Sequence, residues 1–169
     1  MLLILPACSE DVKVTPSVTL YRWIDVDPDL TGAGNGTGYS SVGTQFTPSV
    51  DITIHAIRYV YGSELVIYRQ SDASLFWSAP ITPPINTPDL TWKQHNLSAP
   101  VTVPAGDTYF LGIHTANYYQ WLGSIASHMP TGWVDGGVDG TGDFASATQA
   151  YPAAQDASWM AMLNPVYSK

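Results

Sequence analysis

The sequence predicts an all-β protein: a single antiparallel β-sandwich, jelly-roll-like, with an extended N-terminal arm. Three observations carry this. Charged residues are only 12% of the chain, and Thr, Ser, Gly, Pro and aromatic residues fill the gap, a mix poor for helices and good for strands and tight turns. Short runs of β-branched and aromatic residues recur along the chain, separated by turn formers, about ten strands by this reading. The 169 residues, 45% of them hydrophobic, suffice for one domain with a real core.

Residues 1–16 read as the arm and 17–169 as the sandwich. Val18 to Ile24 alternates β-branched, aromatic and polar residues and predicts a strand partly covered on both faces. Thr31 to Gly38, nearly all Gly, Ala, Asn and Thr, reads as an exposed loop. The strand series is densest from Gly43 to His114. Within Ile52 to Tyr61 the apolar phase slips by one residue at Ala56, as a β-bulge requires. Tyr61-Gly62-Ser63-Glu64 and Gln70 to Ser74 read as turns, and the proline-rich Pro80 to Pro88 as a loop or sheet-edge crossing. Thr91 to Leu97 and Thr102-Val103 read as two short strands. Tyr109, Leu111 and Ile113 point to the core in the clearest alternation, with Phe110, Gly112 and His114 on the other face. Asn117 to Trp121 begins an aromatic strand, His128 to Gly142 is loop-like, and Ser158 to Leu163 is the expected closing strand beside the first.

Charge excludes some partners. Six Lys and Arg against 14 Asp and Glu give a net charge of −8, so there is no basic stripe for nucleic acid and no attraction to anionic lipid. No stretch is long enough to span a membrane. Cys8 is the single cysteine, so no intrachain disulfide forms. Leu5-Pro6-Ala7-Cys8 loosely resembles a lipobox, whose cysteine is lipidated. No Lys or Arg precedes Cys8, and the apolar run Leu2 to Leu5 is far shorter than the roughly 7–15 residues of a signal-peptide core. Met1 to Cys8 is therefore read as a retained apolar arm, with Leu2, Leu3, Ile4 and Leu5 burying against another subunit.

No catalytic constellation is visible. His55, His95, His114 and His128 lack zinc-ligand spacing. The Gly-Tyr-Ser-Ser-Val-Gly stretch at residues 38–43 lacks the serine-elbow pattern. Glu occurs only at Glu10 and Glu64, in the arm and in an expected turn. Asp25, Asp27 and Asp29 alternate as at the start of a calcium loop but lack its Gly and distant Glu. Asp135, Asp139 and Asp143 stand on a Gly-rich frame, and calcium is the cation such oxygen-rich loops take; the alternative is a solvated turn. No other cofactor is implied. Tyr118, Tyr119, Trp121 and Trp133 make an aromatic binding surface for a protein or a sugar ring.

Three segments also carry a resemblance: residues 43–50 (Gly-Thr-Gln-Phe-Thr-Pro-Ser-Val), residues 54–59 (Ile-His-Ala-Ile-Arg-Tyr) and residues 97–109, from Leu97 through Pro104-Ala105-Gly106-Asp107 to Tyr109. Together they resemble an uncharacterised β-sandwich domain family of large bacterial surface and secreted proteins, often found beside glycan-binding modules. The resemblance spans residues 43–114 only. It implies a sandwich in an extracellular or particle-surface setting and carries over no site residue.

The expected function is that of a non-enzymatic structural or interaction protein on an assembled particle: a decoration, cement or fibre-type subunit of a phage virion, partnered by other protein subunits and homo-oligomeric. The alternative is a secreted or lipid-anchored carbohydrate-binding module at the cell surface.

Overall fold

A computed structural model of the chain describes residues 18–22, 33–36, 40–86, 91–115, 118–121, 134–135, 138–146, 149, 151 and 163–169, with the backbone alone at 33–36, 118–121, 134–135 and 138–146. Among these residues there are twelve strands, all antiparallel where paired, and no helix. They are β1 (Tyr21–Arg22), β2 (Ala33–Gly36), β3 (Ser41–Pro48), β4 (Ile52–Tyr59), β5 (Gly62–Arg69), β6 (Leu75–Ile85), β7 (Lys93–Val103), β8 (Tyr109–His114), β9 (Tyr118–Trp121), β10 (Val134–Asp135), β11 (Val138–Ser146) and β12 (Leu163–Ser168).

The strands form a four-stranded sheet, β1-β12-β4-β7, a six-stranded sheet, β10-β11-β3-β8-β5-β6, and a separate ribbon, β2-β9. One hydrophobic cluster joins the two large sheets. Ile52, Ile54, Ile57, Tyr59, Val103, Leu163 and Tyr167 come from the first; Val42, Phe46, Leu65, Ile67, Ile81, Tyr109, Leu111 and Ile113 come from the second. This gives the molecule β-sandwich character. Burial follows alternation. On β8 the residues Tyr109, Leu111 and Ile113 enter this cluster, whereas Phe110 packs on the opposite face with Val66 and Tyr68. The phase slip at Ala56 is a register shift between Ile54 and Ala56 against β7, so Ala56 and Ile57 are buried in succession.

Several sequence expectations are corrected. Residues 33–36 form a strand, not a loop, because β9 supplies backbone partners that glycines cannot provide for themselves. Tyr61 to Glu64 does not close a hairpin: β4 and β5 lie in different sheets, and Gly62, at φ +120°, turns the chain from one to the other. β6 continues through Pro80, Pro83 and Pro84, tolerated because β6 is an edge strand. The two short strands expected between Thr91 and Val103 are one strand, β7, although its residues 97–100 have no partner on β4. Of residues 18–22, the described part of the first expected strand, Tyr21 and Arg22 are paired, and Val18 and Leu20 are each 55% exposed. Of the expected closing strand, residues 158–162 lie outside the described residues; β12 starts the described part at Leu163 and lies beside β1.

The sheet edges are blunted. β1 and β10 have two residues each, β6 carries prolines, and β7 is interrupted at 97–100. At one end of the sheets the turns at 49–51, 70–74 and 104–108 are laced together. The Ala105 amide donates to Asp51 Oδ1 (2.8 Å), the Gly106 amide to the Pro48 carbonyl (3.1 Å), the Gln70 amide to the Thr108 carbonyl (2.8 Å) and the Ser71 hydroxyl to Asp107 Oδ2 (2.6 Å). The opposite end carries the ribbon.

Candidate functional site: an aromatic ribbon above a buried polar row

The ribbon prolongs the central β3–β8 pair. Ser41 pairs with His114, the Thr115 amide donates to the Ser40 carbonyl (3.0 Å), and beyond residues 37–39 and 116–117 Gly36 pairs with Tyr118. The ribbon register is one residue out of step with that of β3–β8. Tyr118, Tyr119 and Trp121 all lie on β9, opposite Gly36, Asn35 and Ala33 respectively. Backbone alternation places Tyr119 and Trp121 on one face with Asn35, and Tyr118 and Gln120 on the other.

Three neighbouring strands align Ser41, His114 and Glu64 in one cross-strand row on the outer face of the six-stranded sheet. His114, 4% exposed, brings Nδ1 within 3.0 Å of Glu64 Oε2, and its Nε2 lies 3.2 Å from the Tyr68 hydroxyl. An ionised carboxylate only accepts, so in the neutral imidazole Nδ1 carries the proton and Nε2 accepts from Tyr68. Burial raises the Tyr68 pKa, and the nearby Glu64 charge adds to it, which keeps the phenol protonated as that donor. The Ser63 hydroxyl donates to the His114 carbonyl (3.1 Å). Ser41 is fully buried, and its Oγ has no hydrogen-bond partner among the described residues.

Two glycines make room for this arrangement. Gly43 and Gly112 face each other in the next row, and the Phe110 ring occupies the place where a Cβ on either would sit. Tyr151 lies edge-on to both Phe110 and Tyr68, and its hydroxyl accepts from the Gln45 amide. The row thus has a histidine oriented by a carboxylate, as a general base would need. Yet its neighbouring serine is wholly enclosed, and Nε2 is engaged by a phenol. As it stands the row ties three strands together and leaves no nucleophile open to solvent.

Replacing His114 by Ala should destabilise the protein by about 2–3 kcal/mol, since it strands the buried Tyr68 hydroxyl and leaves a cavity. Urea titration of H114A against the parent checks this; an unchanged midpoint would remove the row from the stability argument.

The other expected site residues fall elsewhere. Leu2, Leu3, Ile4, Leu5 and Trp133 lie outside the described residues. Asp135, Asp139 and Asp143 stand on β10 and β11, where Val134 pairs with Asp139 and Asp135 with Val138, and their side chains lie outside what the structure describes. The Glu64–His114 pairing escaped the sequence reading, which placed Glu64 in a turn. A signal was available: alternation puts Glu64 with Val66 and Tyr68, and His114 with Phe110 and Gly112, two lone ionisable groups on otherwise apolar faces.

Among the described residues no helix is long and apolar enough to cross a membrane. Comparisons with protein-family models, curated proteins and solved structures return no match.

Proposed function

We propose that this chain is a non-enzymatic interaction subunit of jelly-roll type, displayed on an assembled particle such as a phage virion as a decoration, cement or fibre-type component. The observation that carries the reading is the strand order. Setting aside the ribbon and β10–β11, the remaining strands run β1-β12-β4-β7 in one sheet and β3-β8-β5-β6 in the other. If these are named B to I in chain order, the sheets read B-I-D-G and C-H-E-F, the two four-stranded sheets of a jelly roll, an architecture shared by viral capsid and lectin domains. The blunted edges disfavour association by strand addition. Contacts with other subunits then fall to the apolar arm Leu2, Leu3, Ile4 and Leu5.

The test is assembly. Each arm side chain buried against a neighbouring subunit contributes roughly 1.5–3 kcal/mol. Deleting residues 1–8 should shift the homo-oligomer to a smaller species in size-exclusion chromatography with light scattering, while melting of the remaining domain stays unchanged. An oligomer that survives the deletion intact refutes the arm as an assembly element. An intact mass lacking the residues before Cys8 and carrying a lipid would overturn the virion reading in favour of a lipid-anchored module.

A second reading, a carbohydrate-binding module, is favoured by one specific observation: the ribbon gathers Tyr118, Tyr119 and Trp121 on a single strand.

A further inference from the structure

The ribbon differs from the rest of the chain in its chemistry. No Asp, Glu, Lys or Arg occurs in residues 30–50 or 108–134, although the chain as a whole carries 20 such residues. Both ribbon strands fall inside these uncharged stretches. A charged ligand would therefore meet no counter-charge on either ribbon strand.

The register adds a second feature. All the large residues come from β9, while β2 contributes Ala33, Gly34, Asn35 and Gly36. Tyr119 and Trp121, two positions apart on a strand, are spaced roughly 7 Å along one face. Asn35, the cross-strand partner of Tyr119, shares that face and is the one residue of β2 with a side-chain amide, both donor and acceptor. The face therefore holds a linear pair of aromatic residues, a neutral hydrogen-bonding group, and small residues on the neighbouring strand. The ribbon is also set apart from both large sheets, joined to them through the ends of β3 and β8, whose positions the packed core fixes.

We infer that the Tyr119–Trp121–Asn35 face of the β2–β9 ribbon is a binding site for a neutral polysaccharide. Sugar rings present apolar C–H faces that stack on aromatic rings, and hydroxyls that a carboxamide meets without a charge. A linear aromatic pair suits a polymer of rings rather than a single small molecule. The inference rests on the reading of the chain as a binding protein and not an enzyme; it is independent of whether the arm drives assembly.

The experiment is native affinity electrophoresis of the full chain in gels containing a β-glucan, a xylan, a galactomannan or an α-glucan, with an anionic uronate polymer as control. Retardation by at least one neutral polymer and not by the anionic one is expected. Trp121→Ala and Tyr119→Ala should each weaken retardation by about tenfold or more, and Tyr118→Ala, on the other face, by no more than about twofold. Asn35→Ala provides a variant that removes no aromatic ring; it should weaken retardation several-fold with melting unchanged, and it decides the matter should an aromatic variant fail to fold. The inference is overturned if no neutral polymer retards the chain, if the anionic polymer retards it equally, or if Tyr118→Ala acts as strongly as Trp121→Ala. It is also overturned if the ribbon variants disturb oligomer size while leaving retardation intact, which would make the face a protein contact. Release of reducing ends from a retarding polymer would instead refute the non-enzymatic reading and leave the binding site standing.

Discussion

Gly43→Ala should unfold the protein or destabilise it by more than about 3 kcal/mol, the upper range of overpacking. A Cβ at residue 43 would overlap the Leu111 carbonyl oxygen, the Gly112 Cα and the Phe110 ring. The first two are backbone atoms of β8, fixed by pairing with β3 on one side and β5 on the other. Only the Phe110 ring could move, and it is fully buried beside Val66 and Tyr68. Relief would therefore require separating two central strands. Gly106→Ala supplies a contrast: its φ of +86° imposes backbone strain, but a Cβ there meets nothing. The expected effect is about 1 kcal/mol. Denaturant titrations of both variants check the pair; G43A with parental stability would mean that β3 and β8 are not paired as described.

How much of this was legible in the sequence follows from the distance over which each feature is decided. Period-2 alternation is local, so the inward set Tyr109, Leu111 and Ile113 could be read directly, and the slip at Ala56 showed as a break in phase. Which strand pairs with which is not local. Tyr61-Gly62-Ser63-Glu64 has hairpin composition, yet Gly62 sends the chain to the opposite sheet, a choice made by packing of residues remote in sequence. Ala33 to Gly36 has no strand propensity at all; it pairs because β9 offers it a ladder. Composition marked the aromatic strand as a surface worth attention, but its partner Asn35 was hidden in what reads as a loop. The buried row is the extreme case. Ser41, His114 and Glu64 are far apart in the chain and meet only because β8 lies between β3 and β5.

Alkaline pH should destabilise this protein. Tyr68 and Tyr109 are buried, and in each the pKa is raised, first by burial and then by a neighbouring carboxylate: Glu64 for Tyr68 and Asp107 for Tyr109, where Arg69 partly opposes it. Tyr151 is raised as well, chiefly by burial, but it is only half-buried and solvent screening discounts its share. A phenol whose folded-state pKa lies above its unfolded value of 10.0 stays protonated in the fold after the unfolded chain has ionised. The unfolded state then binds fewer protons, so stability is fully present below pH 10 and declines above it, until the folded-state pKa values are passed. While the unfolded chain is ionised and the folded phenols are not, the slope approaches about 2.7 kcal/mol per pH unit for the two together. The measurement is denaturant stability at a series of pH values, with phenolate absorbance recorded in parallel. Part of the tyrosine signal should appear late and together with loss of tertiary structure. Tyr68→Phe should flatten the alkaline slope by about half, because one of the two protonated phenols is gone. Smooth, non-cooperative titration of all ten tyrosines with no loss of stability would contradict the burial of Tyr68 and Tyr109 on the two faces of the central sheet.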